Sequence, residues 1–329
     1  MSIFSRRSLP TLAVSILAAT QPGARAQAPA TLQAGTLRII VPFNPGGISD
    51  ILARSLAQQM TVVLGNSVVV ENRAGANGSI GAGVAARATP DGLTLLLGVT
   101  DTHAVNPAAM RNIPYDADRD FEPVSLLTRV PLALAVGPSQ SGIADLAAFV
   151  AAAKARPGAL TYSSWGVGST SQIAMLRIGL AAGTEMLHVP FTGAAPAQQA
   201  LAAGQVDCMV MPAGAAEALA RDGRVRVLAT LSPARLPLLP NVPTLQEQGV
   251  QLSTSIIQAI FAPGRTPAAI VARLNQAMAA AMATPAMIDV FRAQAAVPEH
   301  TTPQALTALV KSEQEAWGAV VRSENIRLD

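Results

Sequence analysis

Two glycine-rich turns carry the residue types best suited to hold a small anion. Pro42-Phe43-Asn44-Pro45-Gly46-Gly47 follows an apolar, β-branched run and opens a helical pattern, and Gly166-Val167-Gly168-Ser169-Thr170-Ser171 does the same later in the chain. In each, glycine lets the backbone come close to a ligand, and the first helical turn aims unpaired N–H groups at it. A carboxylate suits such a place, because the helix dipole adds partial positive charge there. Either turn alone is equally well read as a tight turn with an ordinary Ser/Thr cap. A pair of them favours binding.

Other polar groups fall at comparable places. Thr100-Asp101-Thr102-His103 follows an apolar run and is expected to face the same ligand, although Asp101 is also a plausible cap and His103 a structural hydrogen-bonder. Phe191-Thr192-Gly193 holds the equivalent position after another run. Asp207 sits inside a strand pattern, as a cleft acceptor or a backbone organiser; Trp165 is either an apolar wall for a ligand or a packing residue at the surface.

The elements that must position these residues alternate. Thr36 to Pro42, Ser67 to Glu71 and Leu93 to Val99 read as short buried strands, separated by helices from about Ser49 to Leu64 and up to about Ala88. Ser49 or Asp50 suits the N-cap of the first helix. Phe121 to Gly137 reads as two extended stretches broken at Pro131, after which alternation restarts. Helices at 144–155, 169–182 and 195–203 there interleave with strands at 160–164, 186–190, 206–211 and 225–230. Pro233, Pro237, Pro240 and Pro243 then force a turn-rich passage, and three Thr-Pro starts open C-terminal helices. Apolar strands alternating with helices predict an α/β protein with parallel sheets covered on both faces. We read two doubly wound lobes: 27–130 with 241–329, and 131–240. A cleft at the carboxyl ends of both sheets is where ligands bind in such folds.

Residues 1–26 read as a signal peptide, with Arg6 and Arg7 before an apolar stretch and Ala24-Arg25-Ala26 as the cleavage site; export is by the Sec or, given Ser5-Arg6-Arg7-Ser8-Leu9, the twin-arginine route. The full chain has 23 Lys+Arg against 20 Asp+Glu, and without Arg6, Arg7 and Arg25 the body is neutral at 20 against 20. That balance, with no basic cluster, argues against nucleic acid. Cys208 is the only cysteine, so no intrachain disulfide forms; inside the run 206–211 it reads as a buried small residue. His103, His188 and His300 are scattered without metal-ligand spacing, and no phosphate loop or Gly-x-Ser-x-Gly elbow occurs. No metal or cofactor is expected. A Ser169–His188–Asp207 triad exists only as a combination of residue types.

Seven strings, in order along nearly the whole mature chain, resemble the Bug-type receptors, the extracytoplasmic solute-binding proteins of tripartite tricarboxylate transporters. They are 41–50 (VPFNPGGISD), 69–76 (VVENRAGA), 88–92 (ATPDG), 121–125 (FEPVS), 188–193 (HVPFTG), 204–207 (GQVD) and 239–244 (LPNVPT). The resemblance implies a type II periplasmic-binding-protein-like clamshell that closes on a carboxylated solute and delivers it, as a monomer, to membrane subunits of such a transporter. A sensor for a membrane kinase, or an exported hydrolase using Ser169, are the alternatives. Carried over, the family's contacts are Phe43, Gly46 and Gly47 on one side and Gly168, Ser169 and Thr170 on the other. Thr100, Asp101 and Thr102 complete the first wall, and Thr192, Gly193 and Asp207 the second. This chain departs from the family pattern at Gln172 (commonly His), Thr192 (Lys or Arg) and Trp165 (small). Fewer cations and an added indole point to a monocarboxylate or an aromatic or apolar acid rather than a tricarboxylate.

Overall fold

The computed structural model describes residues 34–323; the signal-peptide reading lies outside them. In chain order the elements are β1 (Leu37–Val41), α1 (Ile48–Leu64), β2 (Val68–Asn72), α2 (Ser79–Ala86), β3 (Thr94–Val99), α3 (Asn106–Ala109) and β4 (Phe121–Val136). There follow α4 (Leu146–Ala155), β5 (Thr161–Ser164), α5 (Thr170–Ala182), β6 (Leu187–Pro190), α6 (Ala194–Ala202), β7 (Cys208–Pro212), α7 (Ala213–Arg221) and β8 (Arg226–Thr230). The chain closes with β9 (Ser255–Pro263), α8 (Ala268–Met282), α9 (Pro285–Ala293), β10 (Val297–Pro298) and α10 (Pro303–Ser323).

Two sheets result, and each is mixed rather than parallel. In the first, β1 lies parallel to β2 and β3, but β9 inserts antiparallel between β3 and β4. In the second, β5 lies parallel to β6 and β7, while β4 runs antiparallel to both β7 and β8. The connecting strands cause this: a chain that leaves one sheet for the other and returns must run against its neighbours. β4 belongs to both sheets. Its residues up to Pro131 pair with β9, and those from Leu132 pair with β7 and β8. The expected break at Pro131 is therefore a change of partners within one continuous strand, where a missing N–H is tolerated. The proline-rich passage hid β9, and α7 was not anticipated. Residues 241–252, assigned above to the first lobe, run along β8: Thr230 N–H donates to the Pro243 carbonyl and Leu245 N–H to the Thr230 carbonyl.

α1 shows how the layers hold. Leu52, Leu56 and Met60 recur at i, i+4 and are fully buried, sharing a core cluster with Leu274 and Met278 of α8. Each such side chain contributes about 1.5–3 kcal/mol relative to exposure. Gly65, left-handed at φ 76°, ends the helix. α8, α9 and α10 all return to the first sheet's side, α8 and α9 against α1 and α10 against β4. Thr284 caps α9 by accepting from Met287 N–H, as its Thr-Pro start predicts.

His103 lies in a π-helical turn, Asp101–Val105, and is buried against Phe261, ring centroids 3.8 Å apart. Burial lowers its pKa to about 3. Below about pH 6.5 the unfolded chain takes up a proton that the folded imidazole refuses, so stability falls with pH. His103 alone should remove about 1.4 kcal/mol between pH 7.5 and 5.5. Asp101, whose carboxyl burial raises, acts in the opposite sense, so the check is site-specific. Nitrogen NMR should find the His103 ring neutral at pH 5, and an imidazolium there would refute the assignment.

Candidate functional site

Parallel strands of both sheets point their carboxyl ends at one cleft. β1 delivers residues 42–47, β3 delivers Asp101, and β5, β6 and β7 deliver Trp165, residues 191–193 and Pro212. Between them is a small cavity of about 30 Å³.

One wall is the start of α1. Gly46, at φ 87°, makes the turn, and its N–H donates to Asp50 Oδ2 at 3.0 Å. Burial opposes the ionised Asp50, but hydrogen bonds from Arg54, Gly46 and Asn72 outweigh it and hold the carboxyl below its usual range. Asn72 also donates to the Phe43 carbonyl at 3.0 Å. Asp50 thus braces the turn and is not its cap; Gly47 occupies the N-cap position with no side-chain bond. The first-turn amides of Ile48 and Ser49 have no intrahelical acceptor, and both residues line the cavity.

The start of α6 faces it. Gly193, at φ 145°, is the N-cap, also without a side-chain bond. Asn44 Nδ2 donates to the Thr192 carbonyl at 2.6 Å and to Thr192 Oγ1 at 3.2 Å, stitching the two turns together at the rim. A Cβ on Gly47 would stand 3.7 Å from Ala194 Cβ, and one on Gly46 3.7 Å from Ala195 Cβ. The N-termini of α1 and α6 therefore meet across the cleft, with Pro212 at the start of α7 beside them.

The other wall is Val99, Asp101, Trp165, Ile256 and Gln258. Asp101 Oδ1 accepts from Thr170 N–H at 2.6 Å and from Thr170 Oγ1 at 2.7 Å; Oδ2 accepts from Trp165 Nε1 at 3.0 Å. Burial pushes the Asp101 carboxyl up, against these bonds and one from Asn77. A carboxylate does sit at the start of α5, as the second turn suggested, but it is the protein's own. Two more donors there are also taken: Gln172 N–H donates to Ser169 Oγ, which caps α5, and Gly168 N–H donates to Gln172 Oε1 at 2.6 Å. Gln172 closes this turn on itself.

Of the residues singled out from sequence, Phe43, Gly47, Asp101 and Trp165 line the cavity, and Gly46, Thr192 and Gly193 shape its entrance. Gly168, Ser169 and Thr170 stand behind Asp101. Thr100 Oγ1 accepts from Ile257 N–H at 2.9 Å, and Thr102 Oγ1 bonds both Val99 N–H and the Val99 carbonyl at 3.0 Å, so both secure the turn that carries Asp101. Asp207 lies just before the amino end of β7, opposite Pro212 and about 16 Å from it at strand rise. There it accepts from Thr161 N–H and Oγ1, Ser139 Oγ and Gln140 Nε2. The drawn triad does not form, since His188 Nε2 contacts Ser164 Oγ at 2.7 Å and Ser169 is a helix cap. Among the described residues no group of His, Cys, Asp or Glu is arranged to hold a metal. Sequence reasoning missed Ser49, Ala194, Pro212, Ile256 and Gln258. A lone glutamine in the apolar run 255–263 was the available signal for the last.

A two-sheet α/β fold with a small cleft walled by opposed helix N-termini defines a ligand-binding protein of the periplasmic type. The chain belongs to the tripartite tricarboxylate transporter receptor family, whose model matches residues 52–326. It is similar to Protein BugT of Bordetella pertussis, 35% identical over 91% of this chain and 92% of that protein. Among solved structures it resembles R. palustris Rpa4515 with adipate, at 32% identity and TM-score 0.85, covering 89% of this chain and 98% of that one. It also resembles MatC of Rhodopseudomonas palustris with bound malate, at 33% identity and TM-score 0.83, over 87% and 98%. The family is one of solute-binding receptors.

Proposed function

We propose that the chain is exported to the periplasm and there, as a monomer, captures a small carboxylate for the membrane subunits of a tripartite tricarboxylate-type transporter. The observation that carries this reading is the pair of uncapped helix N-termini, α1 and α6, meeting across one cavity. Each supplies free amides and a partial positive charge to the same point, which favours an anion over other ligands. Adipate in Rpa4515 and malate in MatC support the carboxylate class. The proposed contacts are the amides of residues 47–49 and 193–195, with Phe43, Trp165 and Ile256 as apolar walls. The lobes divide at Pro131 within β4 and near Thr254, and a ligand touching both stabilises closure through contacts made only there. No step in this function requires bond chemistry.

Thermal unfolding of the ligand-free mature chain against mono-, di- and tricarboxylates and aromatic acids tests it. Native-state binding adds about 2.7 kcal/mol at a hundredfold excess over the dissociation constant. At least one acid is expected to raise the midpoint by several degrees. No rise with any acid at millimolar concentration would count against a carboxylate receptor.

A further inference from the structure

The cavity is asymmetric in a way that bears on the rest of the ligand. At the α1 and α6 end the first-turn amides of Ile48, Ser49 and Ala194 lie in the wall. Two oxygen-bearing side chains share the lining, Asp101 beside Trp165 and Gln258 beside Ser49. Asp101 is the one charged residue lining the cavity, and no Lys, Arg or His joins it among the described residues. Gln258 is 1% exposed; its Nε2 donates to Ser49 Oγ at 3.2 Å, and its Oε1 has no partner. A buried amide oxygen left without a donor is costly, and a ligand that supplies the donor recovers that cost. A second carboxylate would supply none, and would set its own lone pairs against the Gln258 oxygen.

We infer that the ligand carries, besides its carboxylate, an N–H donor that seats on Gln258 Oε1, so that the cleft selects amides of dicarboxylic acids and similar amino- or amide-bearing acids over the dicarboxylates themselves. Gln258 is then the specificity-determining residue. This rests on the reading that a carboxylate occupies the cleft.

Matched pairs of equal shape test it: malonate and malonamate, succinate and succinamate, glutarate and glutaramate, each titrated calorimetrically into the ligand-free mature chain. For the chain length that fits, the monoamide is expected to bind at least tenfold more tightly than its diacid. Gln258→Met, similar in volume but without an acceptor of that strength, should bring the two within about threefold. The wild-type comparison needs no variant, so a poorly folded Gln258→Met would not blunt it. Equal affinities would mean that water serves the glutamine oxygen, and tighter diacid binding that the amide nitrogen faces the cavity. Either overturns the inference and leaves the receptor reading intact. If no member of any pair binds the folded protein, the receptor reading fails, and the inference with it.

Discussion

Gly47→Leu is expected to lower affinity for the proposed carboxylate ligand at least a hundredfold while leaving the unfolding midpoint of the empty protein within a few degrees. Gly47 is at φ −80° and ψ 168°, extended backbone open to any residue, so the substitution strains nothing locally. Its effect lies across the cleft. A Cβ there already stands 3.7 Å from Ala194 Cβ, in ordinary contact. The three further carbons of leucine must enter the small cavity or push α6 away, and either removes the meeting of the two helix starts. A hundredfold loss is about 2.7 kcal/mol, within reach of a single blocked closure. Calorimetric titration with the acid that most stabilises the wild type would measure it, and small-angle scattering would report whether the variant stays open. Binding within tenfold of wild type would show that the ligand site is elsewhere.

The largest effect on stability is expected from Gly98→Ala, about 3 kcal/mol. The new methyl would overlap His103 Cε1 and stand 2.7 Å from both His103 Nδ1 and Phe261 Cδ2. These rings are stacked within 12° of parallel, and Phe121 tilts against the imidazole at 5.0 Å. Neither can easily withdraw. Phe261 is held in β9 opposite Leu96, and the turn carrying His103 is tied down by Thr102. Overpacking costs typically about 1–3 kcal/mol, and rigid rings on both sides place this case at the upper end. Urea unfolding measures the loss. A change under 1 kcal/mol would mean the rings yield, whereas partial recovery in Gly98→Ala with Phe261→Leu would identify the overlap as the cause.

What could be read from the chain and what could not follow a physical divide. The turns at 42–47 and 191–193 were legible because a β-branched run, a glycine break and a helical stripe are all local signals. The same logic marked 166–171 as an anion site, and the N-terminus of α5 does hold a carboxyl group. That it holds Asp101 was illegible, because residues distant in sequence meet there only when the two sheets face each other. Asp207 lay on an apolar strand, and periodicity does not say which end of that strand meets the cleft. Gln258 was lost with its strand: four prolines between 233 and 243 made the approach to β9 read as irregular, and a strand buried in mid-sheet has no alternation to announce it.

The place of β9 also sets the order in which the molecule can be made. It lies between β3 and β4 in the first sheet, yet it follows every strand of the second. As the chain is made, β1, β2 and β3 come out early and must wait with one edge uncovered until residues 255–263 arrive. The second sheet needs nothing beyond β8 to pair its strands and is free to form meanwhile. The lobe that begins the protein is thus the last to be completed, and its long-range pairing makes it the slow, aggregation-exposed stage of maturation.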